Sequence, residues 1–530
     1  MTRQHRAREP KDYRIILQHD ACEPLVSRLG PVSKAELLTA SIDQFRDAPV
    51  DVYASDVNHA GGVHFNSRTC ERHSTRIGRL ACSAALQMTE AIQQMLDEGT
   101  EPLRIYCEGA HARGIDYMVR VRMNDLHDVV GVILNVHKPR HKPSAAVPEL
   151  YYHTSKWRLD HPEYLMGDPT ADTPKCSYEY WERSAPNYAL GPVREHMLNM
   201  IEELVHNYDL DAVELDFVRM PFNFLKQERY AQRHVMTGVI RQVKESCVSA
   251  GEERGRPIRL SVRVPDTAEM CLLSGYDLPK WLKEGYLDMV TIGGGYCPFD
   301  TPWRDIVSLC DAAGVPAFAC LNHGQFHKDR QMIRAAASRA YASGVTGFEL
   351  WNFFYCMDYY QPPGQNPLDY SFVADIASQD ALRNLAKTYV PGDAFSLGDV
   401  ANPYDHATWP GQLPMTIGVA HAGVGNTVTF DVFDDMAARA SAVARLEVDV
   451  VDLGPTDELL FFFNGRQIES DPKGWQGLLT SSQHHFEFDI PCSSIAAGEN
   501  TLELRLVRRD ERLMPFISLS GARLSVPAAR

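Results

Sequence analysis

Between residues 12 and 390, short β-branched or aromatic runs alternate with stretches whose apolar positions recur every three to four residues. These are the signatures of strand and amphipathic helix. The strand-like runs are Arg14–His19, Val50–Ala54, Asp116–Met123, Asp211–Val218, Ile258–Val264, Leu287–Ile292, Pro316–Leu321 and Gly347–Trp351. Helices are predicted at Val32–Phe45 with Ser33 as N-cap, and at Ala84–Gly114, Pro192–Tyr208, Lys226–Ser249, Tyr276–Glu284, Trp303–Ala313, Asp329–Ser343 and Tyr370–Thr388. Eight βα units in succession predict a closed parallel barrel, because parallel strands need helical crossovers and eight of them close on themselves. A doubly wound open sheet is the competitor. Polar clusters after most of the strands favour a ring of side chains, and so the barrel.

After Val390 the pattern changes. Pro391, Gly392, Pro403, Pro410, Gly411 and Pro414 interrupt the helical period, and beyond them come alternating runs such as Thr427–Val432, Leu446–Val451, Leu459–Phe463, His485–Ile490, Leu502–Val507 and Phe516–Leu519. Asn464-Gly465 after an apolar run is a tight-hairpin signal, since both residues tolerate positive φ. The expected architecture is α/β: a (β/α)8 TIM barrel over 1–390, a linker over 391–413 and an all-β sandwich over 414–530.

The formal net charge of −16 argues against nucleic acid or an anionic membrane as partner, both of which ask for basic surface. No apolar run is long enough to span a bilayer, and the first residues lack the apolar core of a secretory signal. The 12 cysteines are scattered without a CxxC pair, which reads as reduced thiols in a cytoplasmic protein. Oligomeric state is left open, a homo-oligomer included.

Acids gather at the predicted strand ends: Asp20, Asp125, Asp128, Glu214, Asp216, Asp266 and Glu349, with Arg122, Arg219 and Arg263 in the same zone. On the fourth strand, Glu214 and Asp216 share one face, and burying unpaired carboxylates costs several kcal/mol. They must meet a cation, share a proton or face a wet pocket. For Glu214 the bland alternative is an ion pair with Arg122 or Arg263. The functional one is glycoside cleavage, which needs one carboxyl kept protonated and one ionised. Asp216 is then the nucleophile or base and Glu214 the proton donor or the charge that tunes it, with Asp125 and Asp266 as alternative donors. Arg122, Asn124, His127, Arg219, Arg263, Tyr296, Asn322, His323, Glu349 and Trp351 are the candidate carbohydrate-binding residues. The aromatic stretch around Tyr151, Trp157 and Trp181 suits sugar stacking, or simple loop packing.

Histidines in the insertion after the second strand lack zinc spacing, Gly293-Gly294-Gly295 lacks the spacing of a dinucleotide fingerprint, and no GxSxG is present. No metal or cofactor is therefore expected. A non-catalytic glycan-binding barrel and a metal-assisted lyase or isomerase are the competing readings.

The phrases Arg122-Met-Asn-Asp-Leu-His-Asp128, Asp211-Ala-Val-Glu-Leu-Asp-Phe-Val-Arg-Met-Pro221 and Arg263-Val-Pro-Asp266 resemble those of glycoside-hydrolase-like TIM-barrel proteins, the family-10-like hypothetical glycosidases. That resemblance implies carbohydrate processing and a C-terminal sandwich similar to carbohydrate-binding modules. Against the fourth-strand motif of family 18 chitinases, the position of the catalytic glutamate falls on Val218, so the resemblance does not extend to their substrate-assisted chemistry.

Overall fold

The computed structural model describes residues 12–529 apart from 21–24, 26–29, 60, 73–82, 127–154, 169–170, 172, 175–176, 324–325, 327–328, 354–368, 395–404, 420–425, 470–471 and 478–480. Eight parallel strands close into a barrel: β1 (Ile15–His19), β2 (Val52–Asp56), β3 (Asp116–Arg122), β4 (Ala212–Asp216), β5 (Arg259–Val264), β6 (Met289–Ile292), β7 (Ala317–Asn322) and β8 (Gly347–Trp351). They pair in chain order, and β1 meets both β2 and β8. The open-sheet alternative is thereby excluded.

Inside the barrel, Ile16, Val52, Ala54, Met118, Ala212, Met289 and Phe318 form an apolar floor. Alternation along each strand then lifts a polar layer above it, with Arg120, Glu214, Ser261, Thr291 and Glu349 all fully buried. The outward positions of the same strands, such as Val119, Val121, Val213 and Leu215, pack beneath the surrounding helices as part of the main core.

Several predicted helices are shorter than their periodicity suggests, for local reasons. Ser33 caps Lys34–Thr39 in a reciprocal capping box with Glu36. The stretch expected as one helix from Ala84 to Gly114 is two, Ser83–Asp97 and Pro102–Ala112, because Gly99 takes φ +78° and Pro102 starts a new first turn. The closing helix becomes Phe372–Ile376 and Gln379–Leu382, and the chain then leaves the barrel as a strand.

That strand, β9 (Lys387–Tyr389), belongs to the sandwich. It is followed by β10 (Met415–Gly418), β11 (Asn426–Val432), β12 (Val443–Val451), β13 (Glu458–Phe463), β14 (Arg466–Ile468), β15 (Pro472–Gly477), β16 (Ser482–Pro491), β17 (Gly498–Arg508) and β18 (Phe516–Val526). One sheet runs β9-β18-β12-β16-β15 with β10 also on β18, and the other runs β11-β17-β13-β14. Asn464 and Gly465 take φ of 47° and 75° and turn β13 into β14, as the hairpin signal requires. Leu446, Val448 and Val450 of one sheet face Leu502, Leu504 and Leu506 of the other in the shared core.

Residues 405–409, in the segment expected as a linker, lie against the barrel. His406 Nε2 lies 2.9 Å from the Pro221 carbonyl, the Asp266 N–H donates to Ala407 at 3.1 Å, and the Trp409 N–H donates to Asp266 Oδ2 at 2.6 Å. His406, Ala407 and Trp409 therefore contribute to the rim of the barrel at β4 and β5.

Candidate functional site

Three arginines, all fully buried, organise the carboxyl ends of the strands. Arg120 stands at the centre. It donates to Asp216 Oδ2 and, at 3.4 Å, to Glu349 Oε1, while its Nε lies 3.5 Å from Glu214 Oε1 and 3.6 Å from Asp56 Oδ1. Arg122, one inward position nearer the mouth on β3, donates to Asp125 at 2.8 Å and pairs with Asp20 at 3.0 Å and with Asp56. Arg263 reaches Asp216 through two nitrogens at 3.0 and 3.2 Å, the planar fork that suits a carboxylate.

Asp216 Oδ1 also accepts the backbone N–H groups of Val218 and Arg219 at 2.9 and 3.0 Å, where the chain turns off β4. Its neighbour two positions back is placed differently. Glu214 Oε2 accepts hydroxyl bonds from Ser261 and Thr291 at 3.0 Å each, but Oε1 has no hydrogen-bond donor among the described residues, and neither has Glu349 Oε2. The cation beside Glu214 is Arg120, not Arg122 or Arg263 as the sequence suggested.

Electrostatics divide these acids into two groups. Burial alone would raise the Asp216 carboxyl, but Arg120 and Arg263 outweigh it and hold the group well below the ordinary range. Asp20 is depressed likewise, Arg122 and Arg219 overcoming its burial. Glu214 goes the other way: burial, reinforced by the Glu349 charge, holds its carboxyl well above the usual value. Burial pushes Asp56 up to about 6 against the pull of Arg122 and Arg120, and Asp266 up to about 7 against its bond from the Trp409 N–H. The carboxyl ends of the strands thus carry both depressed and raised carboxyl groups.

Trp351 closes this layer from above. Its ring lies 4.5 Å from the Arg263 guanidinium carbon, 5.7 Å from that of Arg219 and 5.8 Å from that of Arg120, and Tyr296 meets it edge-on at 5.6 Å. Leu126, Tyr180, Trp181, Met220 and Phe222 complete a buried cluster with them. Toward solvent the network ends at Asp20, whose side chain is 17% exposed, and at half-buried Arg219, His323 and Asn352. Asn352 holds φ +60° directly after β8, a conformation asparagine tolerates better than most residues.

The remaining predicted residues have plain positions. Asn124 ties the β3 turn to the Pro186 carbonyl at 3.1 Å and to that of Phe222. Asp125 is held by Arg122. Asn322 ends β7 opposite Trp351, and His323 packs edge-on against Phe353 at 5.3 Å. His127 and Asp128 lie outside the described residues. Beside β3, a cleft of about 440 Å³, open solvent included, is lined by Arg122, Asn124, Asp125, Trp157, His196 and Met200 among others. Trp157 stacks on His196 there at 4.2 Å, so this part of the aromatic stretch packs against its own neighbours.

The sequence reading passed over Arg120, Asp56, Ser261 and Thr291. Alternation along β3, with Val119 and Val121 facing out, puts Arg120 on the same inward face as Arg122, and that signal could have found it. Asp20, Asp56 and His59 bring three potential metal donors within 4.8 Å of one another. The Arg122 guanidinium already bridges the two carboxylates, so a cation entering there would have to displace it.

The chain matches no family model and no curated protein. The family-10-like likeness is therefore a resemblance of sequence phrases alone. Among solved structures it is similar to a family 18 chitinase from Chromobacterium violaceum at 9% identity and TM-score 0.38, covering 97% of this chain and 91% of that one. It is also similar to an α-L-fucosidase from Vibrio sp. strain EJY3 at 10% identity and TM-score 0.33, covering 97% and 96%. A cycloisomaltooligosaccharide glucanotransferase from Paenibacillus sp. aligns at 10% identity and TM-score 0.31, covering 97% of this chain, which spans only 57% of that one. At these identities and scores the likeness says nothing of substrate, and function has to be argued from the side chains.

Proposed function

We propose that this protein is a glycoside hydrolase that cleaves an oligo- or polysaccharide by carboxyl acid–base chemistry at the mouth of its barrel. The observation that carries the reading is the division of the barrel acids: arginines hold the Asp216 and Asp20 carboxyls well below the ordinary range, while burial raises those of Glu214 and Asp266. Hydrolysis of an acetal needs both states side by side, a proton for the leaving oxygen and a negative charge facing the developing oxocarbenium ion. Asp266, pushed up to about 7, has the value a proton donor needs near neutral pH. Asp216 supplies the charge, and burial disfavours a second charge on Glu214 beneath it. Asp20 and Arg219, where the network reaches solvent, offer the sugar its polar contacts.

A second reading, a glycan-binding barrel without catalysis, is favoured by one specific feature. Asp216 already accepts from Arg120, from two nitrogens of Arg263 and from two backbone N–H groups, which leaves it little capacity for a nucleophilic role.

Screening a glycan library with wild type, Asp266→Asn and Asp216→Asn separates the two readings. Hydrolysis predicts product release from wild type, with an alkaline limb near pH 7 and a loss on the order of 10²-fold or more in Asp266→Asn. Glycan retention without product supports the second reading. Unimpaired turnover by both variants refutes the proposal.

A further inference from the structure

On the outer face of the sandwich, β12 and β16 run antiparallel with Glu447 directly opposite Glu487 and Asp449 directly opposite His485. Like charges facing across a ladder destabilise it. The arginine opposite Glu447 on the other side, Arg523, donates instead to Asp329 at 2.6 Å. Arg445 donates to Glu487 Oε2 and, at 2.9 Å, to Asp489, which leaves Glu487 Oε1 directed at His485. His485 Nδ1 lies 2.9 Å from Asp449 Oδ1, and Nε2 lies 3.8 Å from Glu447 Oε1 and 3.5 Å from Glu487 Oε1.

We infer that His485, Glu447 and Glu487 form a binding site for a divalent transition metal of the zinc class. Donors about 2.1 Å from a tetrahedral metal sit roughly 3.4 Å apart, and the three donor atoms here already approach that spacing, all lying within 4.8 Å of one another. Asp449 supplies what an imidazole ligand usually has behind it, a carboxylate on the other ring nitrogen that fixes the tautomer and turns Nε2 toward the metal. Arg445 plays the same part for Glu487 by occupying the oxygen the metal does not use. One nitrogen and two carboxylate oxygens suit zinc, nickel or cobalt better than calcium or magnesium, which take oxygen alone. Bound there, the ion turns the Glu447–Glu487 repulsion into a bridge and pins two central strands of the sheet together. Three protein ligands leave a position for water or a further ligand.

Calorimetric titration of the chelator-stripped full chain with zinc chloride tests this, with calcium and magnesium chloride run alongside. The expected result is a zinc equivalent that persists in Asp56→Asn, which removes the donor set at the barrel mouth. It is lost in His485→Ala and in Glu447→Gln and weakened roughly 10- to 100-fold in Asp449→Asn. Thermal unfolding followed by circular dichroism gives a second readout, zinc raising the midpoint of wild type and leaving that of His485→Ala in place. Wild type taking up no zinc, His485→Ala retaining it, or calcium binding in preference to zinc would each overturn the assignment. In those cases the cluster is a solvated ladder of ion pairs.

Discussion

Replacing Asp216 by Asn and, separately, Glu214 by Gln should have opposite consequences, although the two acids are neighbours on one face of β4. Asp216 is the anion shared by Arg120 and Arg263, all three fully buried. Neutralising it leaves two buried guanidinium groups short of charge and turns an amide N–H₂ toward their donors. Removing one partner of a buried ion pair costs about 3–5 kcal/mol. Burial holds the Glu214 carboxyl well above its usual value, and a glutamine resembles a protonated glutamate in shape, with a carbonyl still able to accept from Ser261 and Thr291. Its substitution should cost less than about 1 kcal/mol, the ordinary range for a change that strands no buried group. Urea unfolding followed by tryptophan fluorescence measures both at pH 7. The pH dependence sharpens the contrast. A depressed carboxyl contributes its full stability above its unfolded value of about 3.9 and loses it as the pH falls on toward its much lower folded value, so the deficit of Asp216→Asn should begin to narrow below about pH 4 and keep narrowing with further acid. A raised carboxyl costs stability as the pH climbs above its unfolded value of about 4.3, so Glu214→Gln should gain on wild type from there upward. Equal losses in the two variants at neutral pH would refute the assignment of their protonation states.

Three further outcomes are expected. Because Asp266 binds its proton up to about pH 7 in the folded chain and only to about pH 4 when unfolded, stability should fall across that window by up to about 1.4 kcal/mol per pH unit. Asp266→Asn should remove that slope, as urea midpoints taken between pH 4 and 7 will show. Gly293 has φ +80° and a Cβ there would collide with Asp266 Oδ1, so Gly293→Ala should destabilise the barrel by about 1–3 kcal/mol and displace the Asp266 carboxyl, read as a shifted pH profile. Trp351→Ala, which opens a cavity beside Arg120 and Arg263, should cost about 3–5 kcal/mol in thermal or urea unfolding, and Trp351→Phe markedly less.

Periodicity carried the architecture because it is a local property. Strands β1 to β8 lie where alternation and apolar runs placed them, Ser33 caps its helix through its own side chain, and Asn464-Gly465 turns a hairpin because positive φ costs those residues little. The fourth-strand acids were also visible, since Ala212, Glu214 and Asp216 must share a face whatever surrounds them. Alternation could not say which cation each acid would meet. That choice belongs to β3, β5 and β8, which reach β4 only when the barrel closes, and it put Arg120 rather than Arg122 or Arg263 beside Glu214. Nor could local pattern show that residues 405–409 return to the barrel rim and bond Asp266, or that Glu447 and Glu487 face each other across a register set by two whole strands. The amino-acid order determined by itself which side chains share a strand face, because backbone geometry repeats every two residues. The protonation state of each acid was decided only in three dimensions, because desolvation and the nearest guanidinium are set by parts of the chain that sequence distance does not relate.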